Sequence, residues 1–118
     1  MTDAPDTEPG RSPAVLLVES QPDVRARFSE ALREAGIEVT EAARIGDVER
    51  WPEGGTVVTD MERFTAWWRH VGAEHVIVLA GTAREGEHAC SSGATAWVPR
   101  NGAAEVLVRT ITALGRRH

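Results

Sequence analysis

Two carboxylates stand directly after apolar runs: Asp60 closes "TVVTD" (Thr56 to Asp60), and Glu19 closes the run in "AVLLVES". A carboxylate so placed can end a strand, its oxygens accepting nearby backbone N–H groups. It can also serve a site at a strand's carboxyl end. Ser20 follows Glu19, Ala80 to Thr82 follow the run "HVIVL", and Arg100 closes "AWVPR". Other chemistries find less support. His70, His75 and His88 share no metal-ligand spacing, and with Cys90 they give only a "HAC" fragment. Ser91 and Ser92 lack the glycines of a nucleophile elbow. No G-x-G-x-x-G follows the first apolar run, which argues against dinucleotide binding. No enzyme constellation emerges.

The elements that would hold these residues follow from apolar patterning. "AVLLVES" is a continuous run, as a strand covered on both faces of a parallel sheet requires. "SQPDVRARFSEALREAG" reads as a helix. Ser20 caps it, Pro22 fits its first turn and Asp23 completes a capping pattern. Val24, Phe28, Ala31, Leu32 and Ala35 form its apolar stripe, and Gly36 ends it. "IEVTEA" alternates as a short strand, and "RIGDVERW" predicts a short helix closed by Pro52. "TVVTD", a compact helix "ERFTAWWRHVG" and the buried strand "HVIVLAG" come next. Phe64, Trp67, Trp68 and Val71 share a core-facing stripe, although so short a helix should leave one indole near the surface. The polar segment "TAREGEHACSSGA" predicts a fourth helix that is short or frayed. "AWVPR" is a fifth strand. In the last helix, "NGAAEVLVRTITALG", Leu107, Ile111 and Leu114 face inward and Val106, Arg109 and Thr110 lie nearer the outside. Alternation of strand and helix with short connections predicts an α/β fold: a doubly wound, five-stranded parallel sheet with helices on both faces. Sites in such sheets lie outside the carboxyl ends of the strands, where Glu19, Ser20, Asp60, Ala80, Thr82 and Arg100 all fall.

With 118 residues the chain forms one domain over residues 14–118 behind a polar, Pro-rich leader over 1–13 that reads as disordered. A net charge of −5 gives no basic field for nucleic acid, and "GRRH" is too small to bind DNA alone. One cysteine excludes an internal disulfide. No run spans a bilayer and no signal peptide is evident, so a cytoplasmic location is expected. All thirteen basic residues are arginines.

In order and spacing, "VLLVESQPDVR", "VVTDM", "VIVLAG" and "GATAWVPRNG" resemble the receiver domain of two-component response regulators, over nearly all of residues 14 to 115. The resemblance implies the strand order 2-1-3-4-5 and places Asp60 at the phosphoacceptor position. It also implies a pocket with an acidic pair after the first strand, a Ser or Thr after the fourth and a Lys after the fifth. In such a pocket the carboxylates hold Mg²⁺, a hard ion wanting oxygen ligands, and the metal holds the phosphoryl group in line. The hydroxyl then follows the phosphoryl group and drives the switch.

This chain keeps part of that set. Glu19 retains one carboxylate, Ser20 replaces the second, Ala80 falls where the hydroxyl belongs, and Thr82 lies two residues further on. Arg100 stands for the Lys, a planar fork instead of a point charge. Asn101 stands where a proline normally follows, so a trans bond is expected there. The third and fourth helices are shortened. The expected arrangement is a degenerate pocket in which Arg100 pairs with Glu19 and Asp60. No cofactor is required, and Mg²⁺ binds at most weakly through Glu19 and Asp60. The functional expectation is a non-enzymatic regulatory or dimerisation module, serving a transcriptional regulator largely without phosphorylation. Its homodimer would use the last helix and fifth strand, with Trp97, Val106, Arg109 and Thr110 as contacts; Trp97 also fits plain packing. Two alternatives stay open: a working phosphoacceptor receiver, using Asp60 with a histidine kinase as partner, and a receiver that senses a small molecule at the altered pocket.

Overall fold

The structure, a computed structural model, describes residues 14–48, 55–67 and 73–115. The leader over 1–13, the end of "RIGDVERW" with Pro52, Trp68, His70, Val71 and residues 116–118 lie outside the described residues. Five strands, β1 (Ala14–Val18), β2 (Glu38–Ala42), β3 (Thr56–Asp60), β4 (His75–Ala80) and β5 (Ala96–Pro99), form one sheet. Their order is β2-β1-β3-β4-β5 and every pairing is parallel. The apolar runs sit where the sequence requires. Val15–Val18, Val57–Thr59 and Val76–Leu79 are the interior strands, buried on both faces.

Strand alternation sorts the core into two layers. Val15, Leu17, Val58, Ile77, Leu79 and Val98 face one way, onto Val24, Phe28 and Leu32 of α1 (Pro22–Glu34) and Ala104, Leu107 and Ile111 of α4 (Ala104–Gly115). Val76, Val78 and Ala80 face the other way, onto Phe64 of α2 (Met61–Trp67) and Ala89 of α3 (Ala83–Ser91). Leu16, Val18 and Val57 line that second face beside Ala42.

Four local expectations are corrected. The first helix is capped at Gln21, with no side-chain cap; Ser20 lies outside it and is exposed. The Gln21 N–H goes instead to a Glu19 carboxylate oxygen, at 3.0 Å. Among the described residues, the segment after β2 forms only a 3-10 turn at Ile45–Asp47 in place of a longer helix. The fourth predicted helix, α3, is short but not frayed: Thr82 Oγ1 accepts the Glu85 N–H, and Glu85 Oε1 accepts the Gly81 N–H. This reciprocal capping ties down the first turn of a helix that has few apolar residues to bury. Finally, in α4 only Arg109 of the three outward positions is exposed. Val106 and Thr110 are half-buried because the helix is wedged between α1 and β5, and the Thr110 hydroxyl donates to the Val106 carbonyl.

Trp97 is packed as well. Its indole lies flat on α3 at Gly86, where a Cβ would come within 2.0 to 2.4 Å of three ring atoms. Glycine in a helix interior normally costs about 1 kcal/mol relative to alanine. Here it admits the ring. Gly86→Ala should therefore destabilise the protein by about 1–3 kcal/mol, the usual cost of overpacking. In a Trp97→Val background the same substitution should turn neutral or stabilising, a sign reversal that urea unfolding of the four-member cycle would reveal.

Candidate functional site

Strand register brings the candidate residues together. Leu17 and Val58 are partners across β1 and β3, so two residues on, at the carboxyl edge, Glu19 and Asp60 share a row on the α1/α4 side. Asp60 pairs with Leu79, and Leu79 with Val98, which places Arg100 one row further out on the same side. Backbone bonds fix each position. Glu19 N–H donates to the Ala42 carbonyl at 3.0 Å, and Arg100 N–H to the Ala80 carbonyl at 2.9 Å.

Glu19 is completely buried, an exposure of 0 %. An ionised carboxylate in that position needs strong partners. Arg100 supplies a two-pronged pair, Nε to Oε1 at 3.2 Å and Nη2 to Oε2 at 2.5 Å, and the Gln21 N–H adds a third bond. Such forked guanidinium–carboxylate pairs are among the stronger polar contacts. The Glu19 bond, opposed by burial, holds the Arg100 guanidinium above its ordinary pKa, and Asp60 and Asp23 add through space. A raised arginine pKa means that, on the alkaline side, the Arg100 contribution is lost only far above neutral pH.

Asp60 is paired differently from expectation. Among the described residues, no single arginine bridges the two carboxylates. Asp60 Oδ1 accepts the Arg63 backbone N–H at 2.9 Å, and Oδ2 accepts Arg63 Nη1 at 2.6 Å. It thus does the strand-ending job, capping α2, and gains its own counter-ion in the same turn. Arg100 feels Asp60 only through space. Thr82 spends its hydroxyl oxygen as the cap of α3, Ala80 is buried without a polar atom in its side chain, and Ser20 is exposed.

Three arginines outside the expected set complete the frame. Arg25 Nη1 donates to the Glu19 carbonyl at 2.6 Å. Arg27, on α1, reaches the carbonyls of Arg100 and Gly102 at 2.7 and 2.6 Å. It therefore clamps the loop on both sides of Asn101, where all peptide bonds are trans. Arg63 is the third. Its signal was present in the sequence, three residues after Asp60 at a helix start, the spacing at which side chains meet. Arg27 gave none, since its acceptors are backbone atoms more than seventy residues away.

No family model and no curated protein matches the chain. Solved structures do. The receiver domain of a Francisella response regulator superposes with a TM-score of 0.72 at 15% identity, over 90% of this chain and 98% of that one. A response regulator receiver protein from Burkholderia phymatum gives 0.66 at 18% identity, covering 89% and 96%. A chemotaxis response regulator of Vibrio cholerae gives 0.63 at 20%, covering 87% and 98%. The chain has the receiver fold.

Within a receiver fold the site can be tested against the Mg²⁺ that the fold implies. The ion needs free oxygen ligands in near-octahedral array. Here all four carboxylate oxygens of Glu19 and Asp60 already accept N–H groups from the protein, and Ser20, at the place of a further carboxylate, brings no charge. The residues present do not fit the metal as they are arranged. The buried pair is instead a structural element. Arg100→Ala, which strands Glu19 without its cation, should cost about 3 kcal/mol or more. Arg100→Lys should recover part of that loss, because one donor replaces the fork. Chemical denaturation of both variants at neutral pH measures the difference.

Proposed function

We propose that this chain is a signalling module of receiver fold that works through protein contacts, without catalysis and largely without phosphoryl transfer at Asp60. The observation that carries this reading is the occupancy of the pocket. Both carboxylates are neutralised by guanidinium groups of the same chain, and each of their oxygens is already an acceptor. A phosphoryl group arriving at Asp60 would have to displace Arg63, and of the acidic pair that would help recruit a metal only Glu19 remains, Ser20 holding the other place.

The consequences of modification would also be muted. A ligand shifts a two-state protein only through contacts that differ between the states. Ala80 offers no hydroxyl to follow a phosphoryl group, and the Trp97 ring is seated on Gly86. The pocket therefore lacks side chains that would carry a change to the α3–β5 face. In this reading the module regulates an attached or separate effector, a transcriptional regulator among the candidates, with its partner surface already formed. Self-association through α4 and β5 has less exposed apolar surface to draw on than the sequence suggested, because Val106, Thr110 and Trp97 are all partly packed inward. None of the described helices is long and apolar enough to cross a membrane, which fits a module that meets its partner in solution.

Incubation with Mg²⁺ and acetyl phosphate, followed by intact mass and sedimentation, tests the reading, with Asp60→Asn as the control. The expected result is no stoichiometric mass gain and no change in association. Stoichiometric, Asp60-dependent modification with altered association would establish a working phosphoacceptor instead.

A further inference from the structure

Arginine at position 63 is unfavourable on local grounds. It lies in the first turn of α2, where the helix dipole opposes positive charge and favours negative. Its side chain is only 20% exposed, so the penalty is incompletely screened by water. The contact that offsets it is the one to Asp60. Their separation of three residues across a helix start leaves the two side chains little choice but to meet. Each of the two carboxylates faces a guanidinium of its own.

We propose that Arg63 is a resident cation standing in place of a divalent metal at Asp60, and that it is the residue that keeps such ions out. The inference rests on the locked-pocket reading above and assigns its gate. Arg100 is the less suitable gate because it is bound to fully buried Glu19 and held on its backbone by Ala80 and Arg27. Arg63 contacts a carboxylate nearer the surface, its Nη1 donating to Asp60 Oδ2. Removing its charge would leave Asp60 still capping the helix, since the cap uses the Arg63 backbone N–H. It would also free Oδ2 and leave the site with a net negative charge that a divalent cation would relieve. Truncation at this position should therefore open the site without unfolding the helix.

Titration calorimetry with MnCl₂ and MgCl₂ alone, with no phosphodonor, tests this. The proteins are wild type, Arg63→Gln, Arg63→Lys and the double variant Arg63→Gln/Asp60→Asn, each checked for folding by thermal unfolding. Arg63→Gln should bind Mn²⁺ saturably and at least about tenfold more tightly than wild type, the scale set by removing one positive charge beside a dication. Arg63→Lys should stay near wild type, and the double variant should lose the gain. Saturable binding by wild type as tight as by Arg63→Gln overturns the proposal, as does a folded Arg63→Gln that gains nothing. If a variant fails to fold, the wild type keeps the proposal falsifiable: saturable Mn²⁺ binding that is lost in an added Asp60→Asn control would contradict it. A folded Arg63→Gln that gains nothing would leave the pocket closed by Arg100 without an Arg63 gate, whereas saturable binding by the wild type would show that the pocket is open to the metal. Failure of the locked-pocket reading would show instead as phosphodonor modification of the wild type.

Discussion

A carboxylate at 0 % exposure cannot remain ionised without a cation, and Glu19 imposes that requirement on the whole carboxyl edge of the sheet. Its cation comes from beyond β5, on the far side of β3 and β4. To deliver it, the backbone at Arg100 must be fixed. The Arg100 N–H continues the ladder to Ala80, and its carbonyl is taken by Arg27 from α1. Glu19 is fixed as firmly, by Ala42 and by Arg25. The arginines of α1 therefore tie the first helix, the first strand and the loop after the last strand into one polar frame above the apolar core. Arg27 takes two carbonyls with one planar fork, and Arg25 adds to its bond with the Glu19 carbonyl an ion pair with Glu41 at 3.5 Å. Lysine, a point charge on a flexible stem, offers no such geometry.

Beside this frame stands a second, independent pair, Asp60 with Arg63. Two neutral pairs differ from one arginine shared between two carboxylates. The shared arrangement would leave one cation for two carboxylates. The observed one gives each carboxylate a guanidinium of its own. On the reading proposed above, the site is one where charge is already matched rather than recruited. The same tendency shows on the opposite side of the sheet, where Trp97 is seated against a glycine that fits the ring. Sites that switch need elements with two arrangements of similar energy. The contacts described here favour one arrangement.

Much of the fold was legible because its determinants are local and periodic. Continuous apolar runs marked β1, β3 and β4 as interior strands, and the alternation of strand and helix put Glu19, Asp60 and Arg100 at the carboxyl edge of one sheet; the register then places them on one face. The site was legible only in part, for physical reasons. Ser20 looked like the cap of α1 on residue type, but a buried carboxylate one residue earlier captured the Gln21 N–H and moved the boundary. Arg63 is an i, i+3 neighbour of Asp60, and this local spacing outcompetes the pairing with Arg100 that the family pattern implies. The order in α3 depends on Glu85 reaching back to Gly81 and on Gly86 meeting Trp97 from another element. Arg27 acts on backbone carbonyls, which every residue carries, so no side-chain pattern could announce it.

The central claim is that the pocket's carboxylate oxygens are committed to protein N–H groups. Two backbone amides report on this directly: Gln21, which donates to Glu19 Oε2, and Arg63, which donates to Asp60 Oδ1. Amide proton and nitrogen shifts of both, followed by NMR in the wild-type protein as MgCl₂ is raised against a matched NaCl control, measure whether those bonds survive. The account predicts that both resonances, and the Arg100 Nε–H signal with them, stay in place apart from the small drift that ionic strength produces. Saturable, magnesium-specific shifts at Gln21 and Arg63 with loss of the Arg100 Nε–H signal would show that the metal takes the carboxylates from the arginines, and would contradict it.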